Sequence, residues 1–136
     1  MNVILKSELL RSGRTHTKIL LVEDNEDMRE LGQEFLRHQG FDVSVAIHGQ
    51  QAIEIVKSEK FDVVLMDLQM PVLGGFEALP KLKEIHAALP IIAVTARASS
   101  QERAECMQAG FTDVLIKPYR LSDLSNIVEK YCPEIH

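Results

Sequence analysis

From Lys18 onward, short apolar runs alternate with amphipathic stretches, and the spacing of apolar positions changes at each switch. Ile19–Val22 is continuously apolar over the length of a strand, the pattern of a strand buried on both faces. Helical spacing follows, with Met28, Leu31, Phe35 and Leu36 on one face, until Gly40 offers a C-terminal stop. Phe41–Ala46 reads as a shorter strand, and Gly49–Glu59 as a helix with Ile53 and Val56 inward. Val63–Met66 is a second fully apolar strand. A loop through Pro71, Gly74 and Gly75 then leads into a helix bearing Phe76, Leu79 and Leu82. Pro80 lies inside that helix, where it should remove a hydrogen bond and shorten or kink it. Pro90 introduces the apolar strand Ile91–Val94, and the helix Ser99–Ala109 stops at Gly110. Val114–Ile116 is the last strand. Leu121–Tyr131 is the last helix, with Leu124, Ile127 and Val128 facing in. Five strands alternating with five helices predict an α/β fold, a doubly wound parallel sheet covered on both faces.

Composition narrows the function without naming it. A chain of 136 residues with 46% hydrophobic and 26% charged positions suits one domain with a proper core rather than a disordered tail. Fifteen basic against 20 acidic residues leave a net charge of −5, which argues against a nucleic-acid surface. No apolar run approaches the roughly 18 to 20 residues of a membrane span. Cys106 and Cys132 show no metal-type spacing and read as free thiols of a reducing compartment, so a cytoplasmic protein is expected. The start of the chain differs from the rest. Through Lys18 it carries Lys6, Arg11, Arg14 and Lys18 against Glu8 alone, a net +3, so the remainder sums to −8. Residues 1–17 are expected to form an extension, a short extra helix with Ser12–Thr17 as linker, before a domain over 18–131 and a tail over 132–136.

In a sheet of this kind, ligands bind beyond the carboxyl ends of the strands, near the topological switch point. What stands just after each strand is therefore decisive. Glu23 and Asp24 follow the first strand, Asp67 the third, Thr95 the fourth and Lys117 the fifth. Each has an ordinary explanation taken alone. Asp24 could cap a helix, Asp67 a turn before Pro71, Thr95 could be a strand-end hydroxyl and Lys117 a solvated lysine. Glu26 and Asp27 need no function, because acids in a first helical turn complement the dipole. The joint placement is harder to dismiss. Three neighbouring carboxylates repel and raise one another's pKa unless a cation holds them.

Five pieces in order resemble the receiver domain of bacterial-type response regulators. They are VEDN (Val22–Asn25), VVLMDLQMP (Val63–Pro71), the Gly74-Gly75-Phe76 helix entry, VTA (Val94–Ala96) and KP (Lys117-Pro118), and together they cover about Lys18–Tyr131. The resemblance implies a flavodoxin-like strand order 2-1-3-4-5 and a two-component phosphorelay function. Asp67 would take a phosphoryl group from a phosphohistidine, a carboxylate being a competent nucleophile for an acyl phosphate. Mg2+ would be held by Asp24, Asp67 and the backbone carbonyl of Gln69, with Glu23 acting through water. Lys117 would pair with one phosphoryl oxygen and Thr95 hydrogen-bond another, and the Lys117-Pro118 bond would be cis. The implied partners are a sensor histidine kinase or a histidine phosphotransfer protein. A downstream protein target would bind the face built from the fourth helix, last strand and last helix.

The chain departs from the family pattern in several places. Val114 stands where an aromatic residue is usual, Gly74 where Asp is frequent, and the long polar Gln69 lies beside the phosphorylation site. The loop reading EDNED would repel the phosphate of a flavin, and it lacks the GxGxxG of a dinucleotide-binding fold. An aspartyl phosphatase would want a second acid where Gln69 stands. A receiver-like module that binds partners without being phosphorylated is the remaining alternative, and the intact Asp24, Asp67, Thr95 and Lys117 set counts against it. With five residues after Tyr131, the chain reads as a free-standing receiver or a piece of a larger regulator such as a hybrid kinase.

Overall fold

The computed structural model describes residues 17–131, apart from positions 71 and 98. All but the last residue of the expected extension, and the whole tail with Cys132, lie outside the described residues. The elements are β1 (Lys18–Val22), α1 (Glu26–His38), β2 (Asp42–Ala46), α2 (Gly49–Ser58), β3 (Val63–Asp67), α3 (Gly75–Ile85), β4 (Ile91–Thr95), α4 (Ser100–Ala109), β5 (Asp113–Ile116) and α5 (Leu121–Lys130). Their ends follow local chemistry. The Asn25 side chain caps α1 by accepting from the Met28 N–H at 2.9 Å, and Ser99 caps α4 by accepting from Glu102 N–H at 3.1 Å. Gly110 closes α4 at φ 114°, a left-handed conformation that glycine adopts without steric penalty.

All strand pairs are parallel and the sheet order is β2-β1-β3-β4-β5, as the resemblance implied. Side-chain alternation along each strand splits the core in two. Leu20, Val22, Val64, Met66, Ile91 and Ala93 face the layer that includes Ala52, Leu79 and Cys106. Ile19, Leu21, Val63, Leu65, Ile92 and Val94 face the layer of Leu36, Leu124 and Val128. Both faces are thereby covered, α2 to α4 on one side and α1 with α5 on the other. β3 and β4 are buried throughout, which is why they read as unbroken apolar runs.

Several expectations from the sequence need correction. β3 extends to Asp67 and β4 to Thr95, so these two residues end their strands rather than follow them; the Asp67–Val94 and Thr95–Ile116 pairings hold them in the ladder. Leu31 is 48% exposed despite its helical phase, because α1 buries Gly32 and Leu36 instead. Phe76 is 40% exposed and meets the Phe111 ring edge-on at 5.5 Å. Pro80 does not end its helix: α3 runs on to Ile85, with Pro80 facing solvent while Ala78, Leu79 and Leu82 anchor both sides of it. Asp24 is not a cap, since Asn25 takes that role.

At the far end of the sheet Asp113 ties β5 to α5. Its carboxylate accepts from Val114 N–H at 2.8 Å, Tyr131 OH at 2.7 Å and Lys130 at 3.3 Å. Burial opposes its charge, but these donors win and hold the carboxyl below its ordinary value of 3.8. A depressed acid stabilises the fold above its unfolded pKa, and that stability is lost as pH falls through the folded value. Tyr131→Phe should therefore lower the melting temperature near pH 6, with the difference from the parent narrowing toward about pH 2. A difference that stays constant over that range would show that the hydroxyl acts through packing instead.

Candidate functional site

The switch point lies where β1 has β2 on one side and β3 on the other, and the chain places its acids there. Glu23 is the first residue beyond β1. Its N–H donates to Ala46 O at 3.0 Å, which continues the β1–β2 ladder by one rung. Asp24 follows on the exposed side, and Asn25 then starts α1. Asp67 ends the central strand β3. Gly75, at the start of α3, packs directly behind it: a Cβ there would lie 3.0 Å from Asp67 O and 2.8 Å from Leu68 Cδ2. A residue without a side chain lets α3 begin this close to the acid without displacing its neighbours. Lys117 enters from the end of β5, its N–H donating to Thr95 O at 2.8 Å, and the Lys117-Pro118 bond is cis.

These groups meet although they are far apart in sequence. The Lys117 Nζ donates to Asp67 Oδ2 at 2.7 Å and to Glu23 Oε1 at 3.2 Å. One carboxylate oxygen from each of Glu23, Asp24 and Asp67 lies within 4.8 Å of the others. Asp67 Oδ1 accepts from the Gln69 N–H at 3.0 Å, and Asn25 N–H donates to Glu23 Oε2 at 3.3 Å. Glu23 and Asp67 are buried while Asp24 is exposed. All of them, with Gln69, line one open cavity of about 300 Å³ at the carboxyl edge of the sheet. A larger cavity of about 440 Å³, between the C-terminal ends of α2 and α3, contains none of these residues.

Thr95 stands slightly apart. It has the parity of Ile91 and Ala93, opposite to that of Asp67 relative to Val63 and Leu65. Its hydroxyl oxygen accepts from Arg97 N–H at 3.1 Å and borders a small hollow of about 40 Å³ shared with Leu68, Phe76, Glu102 and Cys106. The aromatic ring beside Thr95 thus comes from α3, through Phe76. Val114 is buried on the same side of the sheet.

The electrostatics follow from crowding. Burial, a hydrogen bond shared with Asp67 and the Asp67 charge push the Glu23 carboxyl up to about 7, with Lys117 and Asn25 N–H pulling the other way. Burial disfavours the Lys117 ammonium, yet Asp67 and Glu23 together hold its pKa above the ordinary lysine value. With all four groups ionised, three carboxylates face one ammonium, a formal −2. Hard oxygen donors, an excess of negative charge and room for water suit a small dication that keeps part of its hydration shell; Mg2+ fits this donor set.

The family model of the response regulator receiver domain matches residues 19–129. The chain belongs to that family. Receiver domains are the phosphoacceptor modules of two-component signalling and interact with histidine kinases or phosphotransfer proteins. This receiver is 35% identical over 120 residues to hybrid signal transduction histidine kinase B of Dictyostelium discoideum, covering 79% of the chain and 6% of that protein. It is 34% identical over 118 residues to transcriptional regulatory protein ZraR of Escherichia coli, covering 87% of the chain and 27% of that protein. The receiver therefore spans only a small part of these relatives. Among solved structures, it resembles the receiver domain of the sensor histidine kinase PA1611 from Pseudomonas aeruginosa PAO1, which holds a magnesium ion in its active-site cleft. The TM-score is 0.79 at 34% identity, over 87% of this chain and 98% of that one. Chemotaxis protein CheY4 of Vibrio cholerae superposes with a TM-score of 0.81 at 27% identity, over 86% and 99%. Among the described residues of the receiver, no helix is long and apolar enough to cross a membrane.

Sequence reading missed two features of the receiver's site. Arg29 on α1 reaches back to the acidic loop, donating from Nη1 to Glu23 O at 3.0 Å and Asp24 O at 3.3 Å. A cation in the fourth position of a helix that opens with two acids was the available signal, since the helix dipole disfavours it there. Val72, in the loop after Asp67, takes φ 68° and is 77% exposed, a left-handed conformation that a β-branched residue adopts at a cost. Apolar periodicity does not report backbone sign.

Proposed function

We propose that Asp67 accepts the phosphoryl group and that Mg2+ is held by Asp24, Asp67 and the backbone carbonyl of Gln69, with Glu23 acting through water. The observation that carries this reading is the Lys117–Asp67 contact of 2.7 Å inside a ring of two further carboxylates. A lone buried aspartate needs no such company. In the transfer step an Asp67 carboxylate oxygen attacks phosphorus, the N–P bond of the donor phosphohistidine breaks, and its electron pair returns to the imidazole nitrogen. Such transfers ask the protein mainly for alignment and for positive charge around the equatorial oxygens. Bound Mg2+ supplies part of that charge. Lys117 leaves Asp67 Oδ2 to pair with a phosphoryl oxygen, and the Thr95 hydroxyl turns out of its hollow to donate to another. Water reaching the same open cavity attacks phosphorus, the bond to the Asp67 oxygen breaks and inorganic phosphate leaves, so the domain limits its own signal. The donor is a histidine kinase or a histidine phosphotransfer protein, and the receiver passes its state to a protein target through the face of α4, β5 and α5. A cytoplasmic setting agrees with the buried free thiol of Cys106. The direct test is incubation with acetyl phosphate and magnesium followed by intact-mass measurement, with one added phosphoryl group expected and none after chelation of the magnesium.

The site of Val114 makes a separate expectation about output. Val114 is short, β-branched and buried, with restricted χ1 freedom and no ring to move between buried and exposed positions. Beryllofluoride, which mimics the phosphoryl group on Asp67, should shift amide resonances strongly around Thr95, Ala96 and Lys117 and less on the outer face of α5. Equally large shifts across that face, in both the parent and Val114→Ala, would show that phosphorylation reaches the surface without this position.

A further inference from the structure

We propose that Arg29 is a positioning residue for the metal site, forcing the β1–α1 loop to offer its carboxylates rather than its carbonyls; the proposal rests on the magnesium reading above. Hydrogen bonds of three kinds hold the backbone of the loop from Glu23 to Asn25. Glu23 N–H donates to Ala46 O, Asn25 N–H donates to Glu23 Oε2 at 3.3 Å, and the Arg29 Nη1 donates to the carbonyls of both Glu23 and Asp24. The second of these depends on the same carboxylate that a bound cation would draw on. The Arg29 contacts use only carbonyl oxygens and leave the carboxylates unengaged.

Backbone carbonyls are themselves hard oxygen donors, and a flexible acidic loop could turn either kind of oxygen toward a dication. By occupying two successive carbonyls, Arg29 fixes both peptide planes and leaves the side chains of Glu23 and Asp24 converging on Asp67. Local preferences at this place are mixed: Arg propagates a helix well, and Glu26 stands three residues before it on the same face. Glu26 and Asp27 in the first turn complement the positive end of α1, whereas a guanidinium at its fourth position opposes it. The carbonyls that Arg29 reaches lie outside the helix, in the loop that carries the acids.

The proposal has a sign that separates it from simple electrostatics. If Arg29 mattered only as a charge, removing a cation beside an acidic site would tighten binding of Mg2+. If it matters as a clamp, removing it weakens binding, by about tenfold if it behaves as supporting residues around metal sites usually do. Magnesium titrations followed by amide NMR or calorimetry, with melting curves of the metal-free protein, distinguish the two. Arg29→Gln should raise the dissociation constant for Mg2+ about tenfold, with a much smaller change in the metal-free melting temperature. Arg29→Lys keeps the charge but not the planar fork, so it should also bind Mg2+ more weakly than the parent. That variant carries the test if Arg29→Gln does not fold. Unchanged or tighter magnesium binding in either folded variant overturns the proposal and leaves the magnesium reading intact. A parent protein that shows no magnesium response overturns both.

Discussion

Asp67→Asn should abolish phosphorylation entirely: the parent gains one phosphoryl group from acetyl phosphate and magnesium, and the variant gains none. The amide is nearly the same size as the carboxylate and packs in the same place, but it is not a nucleophile toward phosphorus. The environment adds a second reason. Asp67 is the buried carboxylate that the Lys117 ammonium contacts at 2.7 Å, and it ends the central strand beside the switch point. Other hydroxyl and imidazole groups lack this combination of nucleophile, adjacent cation and acid pair among the described residues. An adduct that persists in Asp67→Asn, or that never forms in the parent, would remove Asp67 from the role given to it.

Asp24→Ala should abolish the stabilisation that magnesium confers and raise the melting temperature of the metal-free protein. The acids form a cluster with excess negative charge, and burial and the neighbouring Asp67 have already pushed the Glu23 carboxyl up to about 7. Deleting Asp24 lowers the net negative charge of the cluster. It also deletes one of the proposed ligands, the exposed member of the cluster. At about a hundred times its dissociation constant, a ligand specific for the native state adds about 2.7 kcal/mol. For a domain of this size that corresponds to roughly 8 °C, at about 3 °C per kcal/mol. Calorimetry is the natural probe, because the chain has no tryptophan. A magnesium-dependent rise in Asp24→Ala equal to that of the parent would exclude Asp24 from the ligand set.

Much of this was legible in the chain because the signals involved are local. The period of apolar positions separates strand from helix over a few residues, and the unbroken runs at Val63–Met66 and Ile91–Val94 mark strands covered on both faces. An alternating order of strands and helices then sets all strands parallel, so whatever follows each strand arrives at one edge. That is why Glu23, Asp24, Asp67, Thr95 and Lys117 could be grouped before any contact was known. The two glycines that end helices were legible for a similar reason: Gly40 at φ 100° and Gly110 at φ 114° occupy conformations that other residues avoid.

Burial and pairing were not legible to the same degree. Leu31 has the phase of a core residue, but which side of α1 is covered depends on how Leu21 and Leu124 meet Gly32 across the layer. Pro80 breaks a local rule, and α3 continues because buried residues on both sides of it hold the helix to the sheet.

The order of elements and the edge on which the charged residues gather both follow from short-range periodicity and chain direction. Who partners whom at that edge is set by packing in three dimensions. The Lys117 ammonium reaches Glu23 across 94 positions and Asp67 across 50 because parallel strands bring their carboxyl ends side by side. Strand parity sends Thr95 to the hollow shared with Phe76, away from Asp67. Arg29 stands out in the sequence as a cation in an acid-led first turn, but it finds the carbonyls of Glu23 and Asp24 only because the chain reverses between β1 and α1.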